Sequence, residues 1–265
     1  MSKMGVLELV QLIDNIKCQA LLIANEKYTA AGAVFASDVQ REKEKRDAGG
    51  AIEGLCRSIN YKIRVLSYKL KTIKSFDWGL FHNFSLRQEE NREKVPSDEK
   101  VLVAQKLSEG EIVFACATQD LMEKFIVSEI ATFFSNISGV IDNLSLIIDK
   151  AFVLRLGEGA LLWRVAKELE EGALKKRLEY YAGENYSFWK MRDVRNCIEH
   201  RALNQVLIYP TQPSFADKNV GSLYVSDRIV NLENVDLRID LYCEFIHSKL
   251  CDFLKEISDS ISSTR

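Results

Sequence analysis

TQDLMEKFIVSEIATFFSNISGVIDNLSLIIDKAF, Thr118–Phe152, is the stretch whose pattern decides the fold class. Ile126, Ile130, Phe133, Ile137, Val140, Leu144, Ile147 and Ala151 recur at alternating steps of four and three. That is one face of an α-helix. Phe125, Phe134, Ile141 and Ile148 widen the stripe beyond the narrow seam of a two-stranded coiled coil. A stripe of that width predicts a core helix of a bundle. Gly139 weakens its middle and permits a close helix contact there; Asp142 and Asn143 read as exposed polar positions.

Downstream, Gly157-Glu158-Gly159 marks a turn, and Leu161, Leu162, Val165, Leu169 and Leu174 predict a further helix over Ala160–Tyr180. A helix beginning near Tyr186 or Ser187 follows. After it, Val206–Tyr209, Ser222–Val225 and Arg228–Val230 predict a small β excursion. The last helix spans about Val235–Ile257, with Ile239, Tyr242, Ile246, Leu250, Phe253 and Ile257 on one side and His247 beside them. Ser258–Arg265 is expected to fray.

Upstream, Val101–Val103 and Ile112–Phe114 read as short strands, and Ser75–Glu99 as a loop carrying His82 among aromatics. Ile52, Leu55, Ile59, Ile63, Leu66, Leu70 and Ile73 predict a helix over Ala51–Ile73, with Gly49-Gly50 breaking the chain before it. The mixed charge run Asp38–Asp47 reads as a solvated helical face or a connection. Leu9, Ile13, Ile16, Ala20 and Ile23 define an amphipathic first helix. The expected fold class is therefore mainly α: a helical bundle over 101–265, with extra N-terminal helices and a loop insertion over 1–100.

Composition bounds the function. The 265 residues are 47% hydrophobic, ample for a core, and the net charge of −2 gives no global bias toward nucleic acid. A nucleic-acid site must then be local. The best local patch lies between Glu53 and Asp77, where Arg57, Lys62, Arg64, Lys69, Lys71 and Lys74 meet no acidic residue and Tyr61 and Tyr68 are interleaved. The alternative is an ordinary solvated face. The six Cys lie apart with no Cys-x-x-Cys pair, which predicts reduced thiols in a cytoplasmic protein. There is no secretory signal, and no stretch reads as long and apolar enough to span a membrane. No Walker loop, dinucleotide fingerprint or zinc cluster is present, so no metal or cofactor is expected.

One constellation remains with a mechanism attached. In Met191–Leu203 the residues Arg195, Asn196 and His200 fall on the predicted motif helix. A His transfers protons near neutral pH. An Arg offers phosphate a fixed fork of donors. An Asn carboxamide holds a neighbouring or substrate oxygen. Together they suit RNA cleavage without a metal: His200 moving the proton of the 2′-hydroxyl or leaving oxygen, Arg195 stabilising charge on the phosphate. Lys190, Arg192 and Arg201 add positive charge, and Trp189 adds a stacking surface or, equally, a core anchor. Cys197 reads as packing.

Arg195-Asn196-x-x-x-His200 resembles the signature of the HEPN superfamily: Arg, a polar residue, then His after a short helical spacing. The resemblance covers roughly residues 115–258, and only the motif matches specifically. It implies an all-helical bundle that dimerises so that two motifs face each other. It also implies metal-independent RNase activity leaving a 2′,3′-cyclic phosphate, in toxins, phage-defence proteins and RNA-processing factors; some members only bind RNA or nucleotides. Helix geometry fits a dimeric site. Residues five apart differ by about 140° and about 7.5 Å in height, so Arg195 and His200 converge more readily from two chains than from one.

The first expectation is thus a metal-independent endoribonuclease, a toxin or phage-defence effector, with RNA as substrate, a homodimeric site and an antitoxin protein as a further partner. The second is a non-catalytic helical module that binds RNA or a protein. The third is a structural oligomer with His200 in a polar network.

Overall fold

The computed structural model describes residues 5–30, 37–76, 101–107, 110–116, 119–183, 188, 206–210, 221–225, 228–229 and 239–263. These are mainly α-helical. The helices are α1 (Val6–Ala30), α2 (Asp38–Ser75), α3 (Gln119–Phe152), α4 (Leu162–Glu168), α5 (Ala173–Ala182) and α6 (Ile239–Ser262). Backbone pairing joins β1 (Val101–Leu107) to β2 (Gly110–Cys116) antiparallel, with Leu107 opposite Gly110. It also joins β3 (Val206–Pro210), β4 (Gly221–Val225) and β5 (Arg228–Ile229) in that order, antiparallel throughout.

The chain forms two compact units: Met1–Leu66 with Asn136–Trp189 and His247–Arg265, and Ser67–Ser135 with Lys190–Ile246. Each is assembled from stretches distant in sequence, and α2, α3 and α6 contribute residues to both.

In the first unit the apolar stripes meet as their periodicity requires. Ile13, Ile16, Ile59, Ile63, Ile137, Leu144, Phe253 and Ile257 are completely buried. Each such side chain contributes about 1.5–3 kcal/mol relative to exposure. Polar ties fix the register. Asn15 Nδ2 donates to Ser258 Oγ at 2.7 Å, and Asn143 Nδ2 donates to Ser58 Oγ at 3.0 Å. Asn143 is therefore half-buried and bonded, not simply exposed; Asp142 is exposed. Gly139 makes room for a side chain of α2. The Lys62 side chain lies where a Cβ would stand, 2.8–3.2 Å from the ideal position.

In the second unit Ile73, Phe76, Ile126, Ile130, Phe133, Phe134, Tyr242, Cys243 and Ile246 are all buried. Phe134 meets Phe133 and Tyr242 edge-on at 5.6 and 6.1 Å between ring centroids. Lys69 Nζ donates to Glu129 Oε1 at 2.6 Å, linking α2 to α3, and Lys74 pairs with Glu244 of α6 at 3.0 Å. The side chains of Lys69 and Glu129 are only 19% and 11% exposed. Glu129→Ala would strand a half-buried ammonium and is expected to cost about 2–4 kcal/mol, most of it recovered when Lys69→Met and Glu129→Leu are combined. Urea unfolding of the three proteins measures this.

Four expectations need correction. The helix of Ala51–Ile73 does not begin after Gly49-Gly50; α2 runs straight through them from Asp38. Packing overrides a propensity cost of about 1 kcal/mol per glycine: Ala48 is buried, and the Leu21 side chain of α1 lies 3.8 Å from the Cβ position of Gly49. The turn read at Gly157–Gly159 is present as a 3-10 turn, but the single helix over Ala160–Tyr180 is instead two, α4 and α5. Leu169 caps α4 in extended conformation beside the like charges of Glu168, Glu170 and Glu171, and Gly172 at φ 170° opens α5. Ser258–Arg265 does not fray as a whole. α6 continues to Ser262 with Ser258 and Ile261 buried, because Asn15 holds that end. Finally, Phe125–Phe152 is long and apolar enough to cross a membrane by length and composition, with mean hydropathy 1.3. Its most apolar window is 56% buried inside the protein, as in a core helix.

Candidate functional site

Arg195, Asn196 and His200 lie outside the described residues, as do Trp189, Lys190, Arg192 and Arg201. His82 lies outside them too. What the structure adds is the anchor immediately before this stretch. Phe188 is 5% exposed, stacked on Tyr181 at 6.1 Å and edge-on to Phe253 at 5.5 Å. Tyr181 in turn meets Phe253 edge-on at 4.7 Å. Such aromatic pairs are worth about 0.5–1.5 kcal/mol each beyond their burial. A residue from α5, one from α6 and one at the threshold of the motif stretch thus share one core cluster. Sequence reading weighed Trp189 as an anchor and missed Phe188. The available signal was the seven-residue step from Tyr181 to Phe188, which no local pattern ties to Phe253, 65 positions away (253 − 188).

The basic stretch of α2 divides in two. Lys62 covers Gly139, Lys69 bonds Glu129 and Lys74 pairs with Glu244. Those three have partners, Lys69 half-buried and Lys74 exposed, so the phosphate-tracking surface read from sequence holds fewer than six unengaged cations. The Arg57, Arg64 and Lys71 side chains are exposed and form no ion pair or hydrogen bond among the described residues. Tyr61 and Tyr68 are 69% and 52% exposed.

A cleft of about 580 Å³ opens in the first unit where α3 ends, lined in part by Tyr28, Glu44, Asp47, Asp149, Lys150 and Arg155. Asp149 organises it. Its Oδ1 accepts the Leu156 N–H at 2.7 Å, and its Oδ2 lies 3.3 Å from Lys150 Nζ. The chain beyond turns through left-handed conformations at Val153, Arg155 and Gly157, with φ of 58°, 61° and 58°. For a β-branched Val that conformation is strained. Arg155 pairs with Glu44 at 3.8 Å, and burial, followed by Glu44, raises the Tyr28 phenol above its ordinary value of 10.0. Acidic and basic groups here largely answer one another, which reads as a latch for the exit of α3. Among the described residues no three His, Cys, Asp or Glu side chains could hold a metal ion.

Cys18, Cys56, Cys243 and Cys251 take part in no disulfide. Burial raises Cys56 from 9.0 to about 11, with the Lys17 ammonium opposing. Burial and then Asp252 raise Cys251 to about 11, and its Sγ lies 3.8 Å from His247 Nδ1. These thiols are held protonated, so neither is an activated nucleophile at neutral pH. The linkage sign follows. The unfolded thiol ionises near 9 while the folded one holds its proton to about 11, so stability is lost as pH rises through that window. The urea midpoint is expected to fall between pH 9 and about 11, less steeply in Cys56→Ala/Cys251→Ala than in the parent.

No family model, curated protein or solved structure matches this chain.

Proposed function

We propose that the chain is a HEPN-like helical bundle, with a small β excursion before its last helix, that acts as a metal-independent endoribonuclease. The observation that carries this reading is Arg195-Asn196-x-x-x-His200 in a mainly α-helical chain. His200 transfers the proton of the 2′-hydroxyl or the leaving oxygen, Arg195 neutralises charge on the phosphate oxygens, and Asn196 positions an oxygen. The product is a 2′,3′-cyclic phosphate. Two protomers contribute to each site, with Arg195 of one beside the His200 of the other. Lys190, Arg192, Arg201 and Trp189 hold the RNA. A toxin or phage-defence effector, countered by an antitoxin protein, is the biological setting that fits such an activity.

The aromatic cluster of Tyr181, Phe188 and Phe253 supports this reading, because it holds in a packed core the last described residue before the motif in sequence. A positioned proton donor needs such support. The test is incubation of purified protein with RNA in EDTA, with the termini identified by mass spectrometry. Cutting that yields cyclic phosphates is the expected result. A second reading, a non-catalytic RNA-binding module, is favoured specifically by the unpaired cations and exposed tyrosines of α2. It predicts retention of RNA without turnover.

A further inference from the structure

Five residues of α2 fall on one strip of its surface. Arg57, Tyr61, Arg64, Tyr68 and Lys71 step by four, three, four and three, and at 100° per residue they lie within about 80° of one another. The strip is about 21 Å long. All five side chains are exposed, and none has an ion-pair or hydrogen-bond partner among the described residues. The other three cations of the same stretch have partners in the fold: Lys62 lies against Gly139, Lys69 bonds Glu129 with its ammonium 5.8 Å from the Tyr68 ring centroid, and Lys74 pairs with Glu244. Three of the six basic residues thus have a partner within the fold and three have none among the described residues, and these last three alternate with aromatic rings.

We infer that this strip is a binding rail for single-stranded RNA, with Arg57, Arg64 and Lys71 on phosphates spaced along the strand and Tyr61 and Tyr68 stacking on unpaired bases. Cations alternating with flat aromatic faces match a strand in which charge and π-surface also alternate. A second copy of the chain is disfavoured, since a symmetric approach would set like charges against one another. A bilayer is disfavoured because the strip holds no aliphatic residue to enter it. The inference rests on RNA as the ligand class of the proposed function, but not on catalysis and not on Arg195 or His200.

The test uses the full chain and a fluorescein-labelled 2′-O-methyl oligouridine of about 12 nucleotides, which lacks the hydroxyl needed for cleavage. Binding is read by anisotropy from about 50 to 200 mM salt. Tyr61→Ala and Tyr68→Ala are each expected to weaken binding roughly tenfold with the salt slope unchanged, and Tyr→Phe at either position to restore it. Arg57→Gln/Arg64→Gln/Lys71→Gln is expected to lower the slope by about 2, from about 0.7 per phosphate on a single strand. The inference is overturned if these variants bind as the parent does, or if the parent does not bind the probe. It is also overturned if an oligoglutamate binds as tightly with Tyr61 and Tyr68 making no difference, which would assign the strip to an acidic protein. Failure of the nuclease reading is seen separately, as cleavage of unmodified RNA that survives His200→Ala.

Discussion

His200→Ala is expected to reduce RNA cleavage in EDTA by about 10²–10⁴-fold, the range for a positioned general acid–base. Arg195→Ala is expected to cost about 10²–10³-fold, the scale of one lost donor to a developing anionic oxygen. Neither change should alter the urea midpoint much if the residues face a site. A two-chain site adds a sharper expectation. Mixing inactive Arg195→Ala protein with inactive His200→Ala protein should restore part of the activity, because one hybrid site then holds an intact pair. Initial rates on a short RNA with scission read by gel measure all three. Cleavage that survives both substitutions removes the proposed site. Parent protein that binds RNA steeply with salt but never cuts it moves the function to the binding module.

Phe253→Ala is expected to be the most destabilising single change among those considered. The ring is completely buried and touches both Tyr181 and Phe188. Truncating a buried Phe costs about 3–5 kcal/mol through lost transfer energy and the cavity left behind. Denaturant unfolding checks the magnitude. There is a functional consequence as well. Phe188 directly precedes the segment that carries the motif, so loosening its socket should lower cleavage even under conditions where the protein remains folded. Phe253→Leu, which keeps most of the volume, should return most of the stability. A Phe253→Ala protein with the parent's midpoint would show that the cluster does not hold α5 and α6 together.

The helical character was legible because it is written in repeat distances. Ile126 through Ala151 on α3, Leu9 through Ile23 on α1 and Tyr242 through Ile257 on α6 recur at three- and four-residue steps, and each of these stripes is buried. Such periodicity depends only on the geometry of a helix, so it is readable one segment at a time. Leu55 and Leu70 show its limit: both match the step on α2 but are only partly buried, while Cys56 takes the core position. The motif chemistry of Arg195, Asn196 and His200 was likewise readable from residue type and spacing, and it remains a proposal.

Tertiary structure decided what a segment cannot know about its neighbours. Gly49-Gly50 reads as a break, yet Leu21 and the buried Ala48 keep α2 whole through it. The six cations of α2 between Glu53 and Asp77 look alike in sequence. Only Gly139, Glu129 and Glu244, which are 77, 60 and 170 positions away from Lys62, Lys69 and Lys74, separate the structural ones from those left facing solvent (139 − 62, 129 − 69, 244 − 74). The chain by itself determined which of its segments are helices and which faces of them are apolar, because both follow from local periodicity. Which charges are paired, where a glycine is tolerated and how far α6 extends were settled by packing, because those outcomes depend on contacts between residues that sequence order keeps far apart.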